Sequence, residues 1–253
     1  MTAGALIELR ANLKALNLSS LARNLEGLLR QAKESGIDYT EFLLDLTGAE
    51  LQARAESRLN RRIKESKFPL LKPIETFDLA AVPDLDLRLF RDLAGGGYIE
   101  EHRNIIFLGR SGTGKTHMAT ALGIEACKKN FRTRFVTCYG LANELTEARQ
   151  ERALQRLIHK YVRCDLLVMD ELGYIPFSKE GSELLFQVLA ERHEKGSVII
   201  TTNLGFADWT RVFGDPAMTA ALLDRLTHKA HIINCSWESY RLKQSLNQKA
   251  KRA

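Results

Sequence analysis

The spacing of apolar positions changes character near Pro69. Before it, Leu18, Leu21, Leu25, Leu28 and Leu29 recur at intervals of three and four, the period of one helical face. Ser19 or Ser20 is the expected cap of this helix and Gly36 its expected stop. A second helix is expected to start near Thr40. Thr47 and Glu50 have the spacing of a capping box, so Gly48 is expected to mark a break before a long helix from about Ala49 to Ser66. Pro69 and Pro73 then close the helical region. The pattern divides the chain into a small all-helical domain over 1–68, a Pro-containing linker over 69–82, and a larger domain over 83–253.

Beyond Pro83, short β-rich apolar runs alternate with helical stretches, as in a parallel sheet covered by helices. The expected strands are Asn104 to Leu108, Thr133 to Cys138, Asp165 to Met169, Ser197 to Thr202 and Ala230 to Asn234. Between them the pattern predicts helices near Thr116 to Lys129, Leu141 to Val162, Gly181 to Glu194 and Asp215 to Leu226. A short helix, Asp84 to Leu93, precedes the first strand and runs into Gly95, Gly96 and Gly97. No strand precedes that triple glycine, so it reads as a turn or hinge and not as a phosphate loop. The expected fold class is α/β, with a five-stranded parallel sheet flanked by helices.

Gly109, Arg110, Ser111, Gly112, Thr113, Gly114, Lys115 and Thr116 satisfy the Walker A pattern, after an apolar strand and at the start of a helix. Glycines let backbone N–H groups turn inward around phosphates, and a helix N-terminus favours negative charge. Lys115 is expected to neutralise the β- and γ-phosphates of ATP, and the Thr116 hydroxyl to ligate Mg2+. Leu166 to Met169 form an apolar run ending in Asp170 and Glu171. Asp170 is expected to hold the metal through water, and Glu171 to orient the water that attacks the γ-phosphate. Asn203, just past the fourth strand, could bridge Glu171 and the γ-phosphate.

Composition narrows the setting. Apolar residues make up 45% of the 253, enough for a substantial core, yet the longest apolar runs fall far short of a membrane span. A cytoplasmic location without membrane contact is expected, and Cys127, Cys138, Cys164 and Cys235, scattered without metal-ligand spacing, fit a reducing compartment. His228 and His231 read as ordinary surface or strand histidines. The net charge of +6 is moderate but clustered, with Arg54, Arg58, Arg61, Arg62, Lys64 and Lys67 in one group and a second group beyond Arg225.

Taken together, these segments resemble the AAA+ proteins of the bacterial helicase-loader group, and within it the IstB transposition helper ATPases. The resemblance covers nearly the whole chain. It rests on Phe68-Pro69 to Phe77-Asp78, the loop Gly109 to Thr116 followed by His117, and Asp170-Glu171-Leu172-Gly173-Tyr174. It rests also on Thr201-Thr202-Asn203, Leu222-Leu223-Asp224-Arg225-Leu226 and Ser239-Tyr240-Arg241. It implies a P-loop NTPase of the AAA+ type that assembles with ATP on double-stranded DNA and recruits and stimulates a partner transposase. It implies ATP sites between subunits of a homo-oligomer, with Arg225 of one subunit acting on its neighbour's nucleotide and Arg241 as a second sensor. About 50 residues follow Asn203, too few for a full helical lid domain.

Two basic clusters are candidates for the DNA contact. Arg54, Arg58, Arg61 and Arg62 share one helical stripe, beside an apolar stripe of Leu51, Ala55, Leu59 and Ile63. Arg149, Arg152, Arg156 and Lys160 form the second. Three other readings stay open at this point: a replicative helicase loader of the same fold, a P-loop small-molecule kinase, and an adaptor that uses ATP only to hold an assembly together.

Overall fold

The computed structural model describes residues 3–78, 82 and 84–240. They form two compact units, divided between Arg61 and Arg62. Arg241 lies outside the described residues.

In the first unit, α1 (Ala3–Ala15) and α2 (Ser19–Ser35) are joined by a turn at Asn17, and α3 (Tyr39–Ser66) begins. Leu13, Leu21, Ala22 and Leu25 form its core, with Leu28, Leu29 and Leu46 packed around them. Gly36 stops α2 as expected, in the left-handed region at φ 63. The N-terminal cap differs from expectation: Leu18 occupies it, Ser19 is already helical, and no side chain caps the helix. The N-terminus of α3 is capped instead by Asp38, whose Oδ1 accepts from the N–H groups of Thr40 and Glu41 at 2.7 and 2.9 Å.

Gly48 does not break α3, and the expected capping box is absent. The Thr47 hydroxyl turns back to donate to the carbonyls of Leu43 and Leu44, at 2.8 and 3.0 Å. Glu50 is 6% exposed and accepts from the Leu21 N–H and from Arg54, at 3.3 and 2.8 Å. Both side chains the box would need are thus committed elsewhere, and a mid-helix glycine costs only about 1 kcal/mol relative to alanine.

The second unit starts inside the last turns of α3, where Ser66 Oγ lies 3.2 Å from Cys127 Sγ and Phe68 meets the edge of Phe135. Two short helices follow, α4 (Leu87–Ala94) and α5 (Gly97–Glu100). Asp86 caps α4 through the N–H groups of Arg88 and Leu89, so that helix starts three residues later than the sequence predicts. Gly96, at φ 85, makes the turn between α4 and α5.

Then come β1 (Asn104–Gly109), α6 (Lys115–Lys128), β2 (Thr133–Thr137), α7 (Cys138–Gln150), α8 (Leu154–Val162) and β3 (Leu166–Leu172). The chain ends with α9 (Lys179–Arg192), β4 (Ser197–Thr202), α10 (Trp209–Phe213), α11 (Pro216–Thr227) and β5 (Ala230–Cys235). The five strands are parallel, in the order β2-β3-β4-β1-β5. All five expected strands exist. The one long helix expected over Leu141 to Val162 is instead two: Thr137 caps α7 directly after β2, and Arg152, at φ 56, turns the chain between α7 and α8.

Leu166 to Met169 are fully buried because both sheet faces are covered. One face packs Leu167, Met169 and Ile200 against α7, α9 and Trp209, and the other packs Ile105, Phe107 and Val168 against α4 and α6. Parallel strands put the ends of β1, β3 and β4 side by side on one edge of the sheet, and the site lies there.

Candidate nucleotide site

The loop from β1 into α6 needs glycine at particular points for steric reasons. A Cβ on Gly109 would lie 2.3 Å from the Cys235 carbonyl oxygen at the end of β5, and one on Gly112 would lie 2.1 Å from Ser239 Oγ. Gly112 and Gly114 have φ 84 and 89, which L-residues rarely adopt, and Gly114 forms the N-cap of α6. Lys115 folds across the turn, its Nζ donating to the carbonyls of Gly109 and Arg110 at 2.7 Å each. The loop therefore has a cationic centre next to the N–H groups of a helix start, an arrangement suited to phosphate.

Beside the loop, hydroxyls and carboxylates form a short chain. Thr116 Oγ1 donates to Asp170 Oδ1 at 3.0 Å, and Thr201 Oγ1 donates to the same oxygen at 2.5 Å. The Thr201 hydroxyl in turn accepts from the Glu171 N–H at 3.0 Å. At this point β3 and β4 lose register between Met169 and Leu172, and Glu171 sits at φ 60. The bulge keeps Asp170 inside, at 4% exposure, and turns the Glu171 side chain outward. With its proton committed to Asp170, the Thr116 oxygen keeps its lone pairs for a cation. A hydroxyl and two carboxylates are the hard oxygen donors that suit Mg2+.

Thr116, Thr201 and Glu171 border a cavity of about 290 Å3, close to the lower end of the usual range for small-molecule sites, and Asp170 reaches it only through the two threonine hydroxyls it accepts from. Ser111 to His117 form its floor, and Glu171, Thr201 and Asn203 one wall. Gly109 and Arg110 do not line it; they supply the carbonyls that hold Lys115.

Two segments that sequence reasoning assigned no role complete the cavity. On one side Phe77 packs edge-on against the His117 ring, centroids 5.0 Å apart, and His117 Nε2 sits 3.2 Å from Thr76 Oγ1 and 3.4 Å from the Pro73 carbonyl. Burial there pushes the His117 pKa below its ordinary value. On the other side the chain beyond β5 clasps the loop: Trp237 Nε1 donates to the Thr113 carbonyl at 2.8 Å, and the Tyr240 N–H to the Gly112 carbonyl at 3.0 Å. The Phe77-Asp78 and Ser239-Tyr240 pairs carried a family signal in the sequence, but only the fold brings them together at the loop.

A family model described as IstB-like ATP binding protein matches residues 11–248 of the chain. The chain belongs to this family. Among its relatives, an insertion sequence IS21 putative ATP-binding protein from Pseudomonas aeruginosa is 38% identical, over 94% of this chain and 89% of that protein. One from insertion sequence IS5376 of Geobacillus stearothermophilus is 37% identical, over 93% and 94%. The AMPPCP-bound DnaA structure from Aquifex aeolicus superposes with a TM-score of 0.55 at 18% identity, covering 70% of this chain and 55% of that one; this likeness concerns the fold alone. The fold is the AAA+ type of P-loop NTPase.

In this IstB-like chain Arg225 is remote from its own loop. Its guanidinium stacks over the Phe186 ring at 5.1 Å, and its NH1, buried, has no hydrogen-bond partner among the described residues. It opens onto a second cavity, lined also by Asn104 and Val198 at the starts of β1 and β4. The loop lies at the far end of β1, and six residues of strand span about 20 Å. The structure therefore does not bring Arg225 together with Lys115, Glu171 and Asn203.

The proposed DNA stripe on α3 is uneven. Arg54 pairs with Glu50 and donates to the Asn17 carbonyl, and Arg62 donates to Asn130 at 3.1 Å and is 19% exposed. Arg58 and Arg61 are exposed, with no partner among the described residues. All four cations of the second cluster are exposed; Arg149 pairs with Glu180 at 3.4 Å and Lys160 lies over the Tyr161 ring, while Arg152 in the turn and Arg156 on α8 have no side-chain partner among the described residues.

Proposed function

We propose that this IstB-like chain is an ATPase that binds double-stranded DNA and serves a partner transposase during insertion-sequence transposition. The observation that carries the enzymatic part is the chain of bonds from Thr116 through Asp170 and Thr201 to Glu171, at the rim of a cavity floored by a phosphate-type loop. Ser111 to Thr116 and Lys115 hold the phosphates of ATP, with His117 supporting the wall. Thr116 and Asp170 hold Mg2+, which when bound shields the phosphate charge. Glu171 takes up a proton from the attacking water, and Asn203 keeps water and γ-phosphate in register.

Arg225 lies too far from its own loop to serve that nucleotide, so it acts on the site of an adjacent copy in a homo-oligomer. Its removal is expected to lower hydrolysis by about 10³ or more, the scale of a finger arginine. Within the two basic clusters, Arg58 and Arg61, with Arg152 and Arg156, are the cations without a side-chain partner among the described residues, and they meet phosphates of duplex DNA. Basic, weakly sequence-reading contacts of this kind suit a protein that operates at many target sites.

The test is Glu171→Gln, which keeps size and hydrogen bonding but removes the basic oxygen. ATP uptake measured by calorimetry should be unchanged, while DNA-stimulated phosphate release falls by about 10² or more. Wild-type turnover in the variant would remove Glu171 from the mechanism, and absence of ATP uptake by the wild-type protein would remove the ATPase reading altogether.

A further inference from the structure

The end of the sheet opposite the nucleotide cavity carries a cluster with different chemistry. His193, Glu194 and His228 each offer a ligand atom, and these atoms lie within 4.8 Å of one another. His193 is the C-cap of α9 and His228 the C-cap of α11, so two helices direct their negative ends toward the same point. The His193 and His228 rings stand 6.0 Å apart, centroid to centroid, at 55°. Two imidazoles bound to one tetrahedral ion at the usual Zn–N distance would stand roughly 5 Å apart, so small side-chain rotations close the gap.

The backbone that presents these groups is firmly held. Arg192, directly before His193, is 1% exposed and donates to the carbonyls of Tyr161, Cys164 and Ser197 at 2.6 to 2.9 Å. Glu194 turns the chain in the left-handed region at φ 58. On the other side of the cluster, at the end of α11, the His228 N–H donates to the Asp224 carbonyl at 3.0 Å. The competing charge is weak: Lys229 approaches Glu194 at 3.7 Å, with both side chains more than half exposed. Such an exposed pair is weak and gives way to a divalent ion.

We propose that His193, Glu194 and His228 form a binding site for a first-row divalent metal ion of the zinc class. Two imidazoles and a carboxylate are borderline to hard donors, favouring Zn2+, Co2+ or Ni2+ over Mg2+, and three protein ligands leave one position open to water. The ion ties the C-terminus of α9 to that of α11, the helix that carries Arg225 into the same cavity. The site is distinct from the Thr116 and Asp170 donors, which lie at the other end of the strands.

The experiment uses the full chain without an affinity tag. Titration calorimetry with zinc chloride should show one ion per chain, and cobalt chloride should produce the visible absorption of a tetrahedral or five-coordinate site. His193→Ala and His228→Ala should each lower metal affinity by more than about tenfold, a loss at least as large as removal of an outer-shell partner. His231→Ala should leave it unchanged, and ATP uptake should persist in all three. Should an alanine variant fail to fold, Glu194→Gln, at an exposed position, replaces it with a smaller expected loss. The proposal is overturned if the wild-type chain takes up neither ion, or if uptake is the same in the His193→Ala, His228→Ala or Glu194→Gln proteins.

Discussion

Replacing Thr201 by valine tests the site more sharply than removal of a charged group. Valine fills the same space but deletes one hydroxyl that donates to Asp170 and accepts from the Glu171 N–H. Thr201 is 1% exposed and Asp170 4%, so water cannot easily replace either bond. A hydrogen bond to a charged group contributes about 1.5 to 3 kcal/mol, and a buried donor left unpaired costs about 1 to 3. With partial relaxation, Thr201→Val should destabilise the sheet unit by roughly 2 to 4 kcal/mol, lowering its melting temperature by about 5 to 15 °C. Glu171 would lose the anchor that fixes its left-handed backbone beside the cavity, so kcat for ATP hydrolysis should fall at least about tenfold. Nucleotide affinity measured without Mg2+ should barely move, because the loop itself is untouched. Thr201→Ser restores both bonds and should recover both stability and kcat. Wild-type kcat and stability in the valine variant would refute the idea that this hydroxyl positions the carboxylates.

Gly112→Ala should abolish nucleotide uptake, read by calorimetry, because its Cβ would collide with Ser239 and its φ of 84 is strained for alanine. Arg58→Glu combined with Arg61→Glu should weaken duplex DNA binding and flatten its dependence on salt by a slope of about 2, whereas Arg62→Glu should mainly destabilise, since Arg62 is bonded to Asn130. Fluorescence anisotropy across a salt series reads the first effect and thermal melting the second. The His117 pKa is lowered in the folded protein, so over the window between its folded and unfolded values the unfolded chain binds more protons. Stability from this group is present above the ordinary histidine value near 6.5 and is lost as pH falls below it, so His117→Gln should flatten the decline in melting temperature toward pH 5.5.

The nucleotide loop was legible because its chemistry needs adjacent residues, and adjacency is what a sequence displays. All five strands were legible for a similar reason, since doubly covered strands are continuous apolar runs. Misreadings arose where a side chain had a distant partner. Thr47 and Glu50 have the spacing of a cap, but Glu50 serves Leu21, twenty-nine residues away. On the α3 stripe, too, spacing alone does not show that Arg54 and Arg62 bond to Asn17 and Asn130 while Arg58 and Arg61 do not. The helix expected from Leu141 onward breaks at Arg152 without any glycine or proline to announce it. Thr201 was legible only as part of a family segment, and Trp237 not at all, because their roles arise from contacts with Asp170 and Thr113 that exist only after β4 and β5 have paired with their neighbours.

The clasp at Trp237 gives this chain a built-in optical reporter. It contains two tryptophans. Trp209 is sealed between Phe206 and Phe213 on one side of the sheet, while the indole of Trp237 is bonded to a carbonyl of the phosphate loop itself. Silencing the first by Trp209→Phe leaves a single emitter bonded to the phosphate loop, so nucleotide uptake there can be followed in stopped-flow without any label.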